Sequence, residues 1–187
     1  IGDNGNAIRC HISVEELKEK FGDFYLLPEG GTNKQAIKGA SEILDKNDVQ
    51  DFICCPVGTG GTIAGIISSS SQKQTIIGFP SVKGVKGLKK TVRKYSNKRN
   101  FIFVNDYLYG GYARLTDELV EFIMNFNINH KIPLDAIYTG KMMMGVLDLV
   151  SKDYFSQGSS ILVVHTGGLQ GNLGMNKRFA LNLPHNF

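Results

Sequence analysis

Residues 51–80 read DFICCPV, then GTGG, then TIAGIISSS and, after the polar break SQKQ, TIIGFP. Two apolar runs of strand length enclose a segment of helical length, and glycines crowd the first junction: strand, glycine loop, helix, strand. Strands joined through a helix run parallel, and a parallel sheet must be covered on both faces. This unit commits the chain to a layered α/β architecture. Its 187 residues, 42% apolar and 20% charged, suffice for one domain with a substantial core and exclude a disordered or fibrous chain.

The flanking sequence extends the alternation. Asn33 is placed to cap a helix over 33–46, with Ala36, Ile37, Ala40, Ile43 and Leu44 at helical spacing. Val85, Leu88, Val92 and Tyr95 give the next helix an apolar stripe, and FIFV at 101–104 is a third short strand. Thr116 caps a helix carrying Leu119, Val120, Ile123 and Phe126, a further helix is expected over 142–152, and SILVVH at 160–165 is the last strand. The reading is an open, mostly parallel sheet with helices on both faces, without linker or internal repeat.

Charge and cysteine content narrow the function. Eight of the 21 basic residues, Lys83, Lys86, Lys89, Lys90, Arg93, Lys94, Lys98 and Arg99, fall in one stretch without an acid. The rest of the chain carries 13 basic against 17 acidic residues, so the net charge of +4 belongs to one solvated helix face and nucleic acid is not an expected partner. Three cysteines, Cys10, Cys54 and Cys55, have no metal-ligand spacing and point to a reducing compartment. No run of 18 apolar residues and no signal peptide is present, so no membrane partner and a cytoplasmic location are expected. The Met142-Met143-Met144 run reads as helix core, not as a metal site.

The 22 glycines, about 12% of the chain against a usual 7% or so, gather in short runs with no three-residue period. In Gly58-Thr59-Gly60-Gly61-Thr62 they let the backbone approach an anion. Unpaired N–H groups and the positive helix end attract phosphate, and two threonines add hydroxyl donors. The spacing is that of neither the nucleotide P-loop nor the dinucleotide G-x-G-x-x-G turn, and a tight turn without ligand is the alternative. Glu29-Gly30-Gly31-Thr32-Asn33 reads as a structural cap. His165-Thr166-Gly167-Gly168 lies at the carboxyl end of a strand, where open parallel sheets bind ligands. With Tyr138-Thr139-Gly140-Lys141, which follows a short apolar run, four such segments suggest one crevice. Tyr138 and Tyr112 either pack a ring or exchange a proton.

Taken together, LPEGGTN at 27–33, PVGTGGTIAG at 56–65, GGYAR at 110–114, PLDAIYTGK at 133–141 and HTGGLQG at 165–171 resemble the 1-aminocyclopropane-1-carboxylate deaminase and D-cysteine desulfhydrase family, pyridoxal 5′-phosphate enzymes of the tryptophan synthase β-like fold. The resemblance implies that Gly58, Thr59, Gly60, Gly61 and Thr62 hold the cofactor phosphate. It implies that Tyr112 and Tyr138 lie beside the substrate and take part in proton transfer or ring opening, and that Thr139 and Thr166 contact or approach the pyridine nitrogen. The deaminase branch is expected to carry Glu and Leu at these last two positions. Hydroxyls there favour D-cysteine α,β-elimination to pyruvate, ammonia and sulfide over deaminase chemistry.

The family's cofactor-binding lysine segment and its Ser-Asn-His loop have no counterpart here, and the chain begins with Ile. The expectation is a single incomplete domain, the C-terminal part of a two-domain enzyme, inactive as it stands and homodimeric when whole. A non-catalytic phosphate-binding domain is the alternative.

Overall fold

A computed structural model describes residues 12–82 and 85–186; Cys10 and Lys83 lie outside the described residues. Four strands, β1 (Phe52–Val57), β2 (Thr75–Pro80), β3 (Phe101–Phe103) and β4 (Ile161–Val163), form one sheet in the order β3-β2-β1-β4. Every neighbouring pair is parallel, with Phe52 opposite Thr75 on one side and Ile161 on the other. The β1–β4 register is fixed at its start: the Asp51 carboxylate accepts from the backbone N–H and the hydroxyl of Ser160, each at 2.8 Å, and the Ser160 Oγ accepts from the Asp51 N–H.

Seven α-helices complete the described chain: α1 (Val14–Phe21), α2 (Lys34–Ala40), α3 (Gly61–Ser69), α4 (Val85–Tyr95), α5 (Asp117–His130), α6 (Thr139–Ser151) and α7 (Gln170–Phe179). Alternation along β1 sends Ile53, Cys55 and Val57 into a core with Ile63, Ile66 and Ile67 of α3 and Leu88 and Val92 of α4. Cys54 faces the other way, with Ile77, Phe79 and Met142, Val146 and Leu149 of α6. Each large side chain buried in this way contributes roughly 1.5–3 kcal/mol, so the two cores together fix the sheet between its helical layers. A third cluster joins Leu119 and Ile123 of α5 to Leu134, Ala136, Met175 and Leu183.

The expected caps form: Asn33 accepts from the Ala36 N–H at 2.8 Å and Thr116 from the Leu119 N–H at 3.2 Å. Helix α2 stops at Ala40, short of the expected 46. Beyond it the Asp48 carboxylate accepts from the Asp45 N–H and the Asp45 carboxylate from the Asn47 N–H, side-chain bonds that fold the backbone into turns. The basic helix presents Lys89, Lys90, Arg93 and Lys94 to solvent. Met142 is fully buried and Met143 and Met144 pack against the α5–α7 cluster.

Two helices have no counterpart in the sequence reading. Helix α1 is set by a capping box in which Ser13 and Glu16 exchange hydrogen bonds. Helix α7 is anchored by Asn172, whose carbonyl accepts from the Ala136 N–H and whose amide donates to Leu134 O and Pro184 O.

Candidate functional site

The chain steps along β1, β2 and β3 in one direction and returns to the other side of β1 with β4, so the topological switch lies between β1 and β4. Beyond the carboxyl ends of these two strands lies a crevice of about 360 Å³. Gly58–Ile63 form its floor, Thr166, Gly167 and Gly168 one side, Gly30, Gly31 and Thr32 the other, and Tyr138 overhangs it. Such a switch point is where open parallel sheets place ligands.

The floor can offer an anion hydrogen-bond donors. Gly60 caps α3 with φ 95° and ψ 2°, a left-handed conformation suited to glycine, and no side chain caps the helix. The N–H groups of the first turn are therefore left for a ligand, at the positive end of a nine-residue helix. The Thr59 and Thr32 hydroxyls meet at 2.6 Å across the crevice. A Cβ on Gly30 would come within 2.3 Å of Thr59, so this approach requires glycine there. Gly30–Thr32, which taken by itself reads as a structural cap, also lines the crevice.

Tyr138 reaches the crevice because α6 starts earlier than its apolar spacing suggests. Buried Asp135 accepts from the backbone N–H groups of Ile137, Tyr138 and Thr139 at 2.9, 2.8 and 2.8 Å, which stabilises a helix start at residue 139. The ring lies over the end of β1: a Cβ on Gly58 would stand 3.3 Å from its edge and 3.4 Å from its hydroxyl. Burial, neighbouring Tyr112 and Asp135 push the Tyr138 phenol up to about 12, so it carries its proton at neutral pH and can donate.

Tyr112 stands beside it, ring centroids 6.1 Å apart at 61°, with 56% of its surface exposed. The structure brings Gly58–Thr62, Tyr138 and Thr166 to the crevice and Tyr112 to the edge of this group. Thr139 does not line it. Its residue is fully buried, its hydroxyl donates to the Asp135 carboxylate at 2.7 Å and accepts from the Asp135 N–H at 2.8 Å. Thr139, which the resemblance sets near the pyridine nitrogen, has its hydroxyl engaged by the carboxylate four residues upstream. His165 supports the rim, with Nδ1 accepting from the Gly167 N–H at 3.1 Å and Nε2 within 2.9 Å of Pro133 O.

Sequence reasoning passed over Asp135, and gave Lys141, which follows the tyrosine motif, no role. An Asp just upstream of a helix start was the available signal for the first. Lys141 is 1% exposed; its ammonium donates to Gly111 O at 2.6 Å and Leu108 O at 3.0 Å, and burial lowers it to about 8, partly offset by Asp135. Cys54 and Cys55 are buried in β1; desolvation pushes the Cys54 thiol up to about 12 and raises Cys55 as well, so both behave as apolar core residues.

A glycine-floored crevice at the switch point of a parallel sheet defines an α/β domain with a candidate ligand site, and known proteins place it further. No protein-family model matches the chain. It is 30% identical over 179 aligned positions to the "Putative 1-aminocyclopropane-1-carboxylate deaminase" of Pyrococcus furiosus, covering 84% of this chain and 54% of that protein. The same identity is found over 185 positions with the protein of that name from Thermotoga maritima, covering 88% and 58%. It recurs over 188 positions with the mitochondrial bifunctional D-cysteine desulfhydrase/1-aminocyclopropane-1-carboxylate deaminase of Arabidopsis thaliana, covering 89% and 47%. A crystal structure of an ACC deaminase homologue superposes with a TM-score of 0.72 at 26% identity, over 88% of this chain and 55% of that one. The chain belongs to the 1-aminocyclopropane-1-carboxylate deaminase/D-cysteine desulfhydrase family of pyridoxal-phosphate enzymes, with the tryptophan synthase β-like fold. It spans about half the length of the curated relatives it matches.

Proposed function

We propose that the crevice holds the phosphate of pyridoxal 5′-phosphate and that the whole protein eliminates sulfide from D-cysteine, releasing pyruvate and ammonia with uptake of water. The observation that carries the reading is the uncapped α3 N-terminus, floored by Gly58–Thr62 and overhung by Tyr138, in one crevice. The residues present suit the group: the first-turn N–H groups of α3 and the Thr59 and Thr62 hydroxyls would take the phosphate oxygens. When bound, the cofactor supplies an electron sink for carbanion chemistry.

The chain's own residues then divide the work. The glycine loop binds and orients. Tyr138, protonated at neutral pH, holds a proton at its phenol oxygen above the end of β1, and Tyr112 is the second phenol at the substrate's edge. The preference for D-cysteine rests on Thr166, a neutral hydroxyl residue at the rim, and on the lining: among the described residues, those that line the crevice include no carboxylate. An anionic partner would strengthen the sink for ring opening; neutral partners suffice to expel a good leaving group such as sulfide. Among the described residues no lysine lines the crevice, and the activity is proposed for the whole protein, of whose relatives this chain spans about half the length.

The full-length protein, assayed with D-cysteine and with 1-aminocyclopropane-1-carboxylate, should show kcat/KM at least about tenfold higher for D-cysteine, a difference of roughly 1.4 kcal/mol in transition-state binding. Greater turnover of the cyclopropane amino acid, the substrate in the names of most of the relatives, would overturn the preference.

A further inference from the structure

A buried lysine needs a reason. Lys141 sits in the first turn of α6, among the largest fully buried side chains, where its neighbours in sequence are methionines of similar reach. Its ammonium makes no ion pair; among the described residues the ion pair within 4 Å is Lys152–Asp148 on the surface. The carboxylate it feels, Asp135, has its oxygens engaged by the N–H groups of residues 137–139 and by Thr139. Its bonds run instead to backbone carbonyls of one loop, Leu108 and Gly111.

That loop does not hold itself. Tyr109, Gly110, Gly111 and Ala113 all have positive φ, at 44°, 86°, 105° and 51°, and two of them are not glycine. Its own turn contributes a bond from the Gly111 N–H to Leu108 O at 2.9 Å and one from the Arg114 N–H to Gly111 O at 3.3 Å. Lys141 therefore adds a second donor to the carbonyl at each end of the turn. The residue that follows Gly111 is Tyr112, whose ring stands against Tyr138.

We infer that Lys141 is a positioning residue: its ammonium clasps the Leu108 and Gly111 carbonyls, holds the strained 108–113 loop, and thereby sets the Tyr112 phenol against Tyr138 at the crevice edge. The inference rests on the reading of Tyr112 as a substrate-side phenol, and the two can fail separately. A neutral apolar side chain of the same length fills the space and loses both bonds, which defines the variant.

The test uses Lys141→Met in the full-length protein, alone and combined with Tyr112→Phe. Chymotrypsin cleavage at Tyr109 and Tyr112, located by mass, should accelerate at least about fivefold in Lys141→Met, beyond that in Asn172→Ala, a destabilised control outside the loop. Lys141→Met should lower kcat by about tenfold in the wild-type background and by less than about twofold in the Tyr112→Phe background, because the phenol it positions is already gone. If Lys141→Met does not fold, Lys141→Gln, a shorter and neutral side chain that keeps an N–H donor group, takes its place with the same outcomes at reduced size. A loop no more cleavable than in the control, or kcat losses that simply multiply, overturns the positioning role. A Tyr112→Phe variant with unchanged kcat instead overturns the assignment of Tyr112 to the chemistry, and leaves the clasp to be judged by the cleavage alone.

Discussion

The two tyrosines at the crevice are held by opposite means. Tyr138 is positioned locally: a carboxylate three residues upstream gathers three successive N–H groups and starts the helix from which the ring projects. Tyr112 is positioned from a distance, on a loop of left-handed residues tied down by an ammonium 30 residues away in sequence from Gly111. Tyr138 is half-buried and its phenol is pushed up, whereas Tyr112 is largely exposed. One phenol is thus a fixed part of the scaffold, and the other depends on a tertiary clasp. Strain is tolerated on the loop because the packed helix over-determines it.

The contrast can be broken most forcefully at Asp135. Replacing it by Ala leaves three N–H groups of the α6 start and the Thr139 hydroxyl without their acceptor in a buried setting, a loss on the order of 3 kcal/mol in unfolding free energy. Denaturant unfolding of Asp135→Ala against wild type measures it; a loss under about 1 kcal/mol would mean that Tyr138 is not held locally. Asp135→Asn, which keeps an oxygen acceptor, should fall between the two.

A smaller effect sharpens the other side of the contrast. The buried Lys141 ammonium is lowered to about 8 from its ordinary 10.5. Between those values the unfolded chain binds a proton that the folded chain has released, so this group's contribution to stability rises with pH across that window and is lost as pH falls through 8. A neutral amine still donates to both carbonyls, so the clasp survives deprotonation. The stability of wild type relative to Lys141→Met should therefore grow between about pH 7.5 and pH 10, read from denaturation midpoints. A difference that shrinks would place Lys141 in water.

The same contrast explains what could be read from the sequence. The βαβ unit, the glycine floor and the caps at Asn33 and Thr116 rest on contacts within a few residues, and local pattern carries them. The α1 capping box was equally local, in Ser13 and Glu16, and was legible in principle. Helix α7 was not, because Gly171 and Gly174 interrupt its pattern and a buried amide, Asn172, anchors it from three distant backbone groups. The resemblance alone set Thr139 near the pyridine nitrogen, and its bond to Asp135 depends on how the turn closes. The burial of Lys141 depends on the 108–113 loop folding against it, which no local pattern shows. Nothing in the sequence orders the strands β3-β2-β1-β4, yet that order brings the glycine loop and Thr166 to one crevice.

The central claim is that the crevice is a cradle for the cofactor's phosphate. Thr59 is exposed at its edge, so Thr59→Asp puts a negative charge into the cradle with little effect on the core. A charge at about 4 Å from a phosphate costs on the order of a few kcal/mol near a protein surface. Equilibrium dialysis of the full-length protein should show pyridoxal 5′-phosphate binding weakened at least about tenfold by Thr59→Asp, with binding of unphosphorylated pyridoxal unchanged. Equal affinity of wild type and variant for pyridoxal 5′-phosphate would contradict the account.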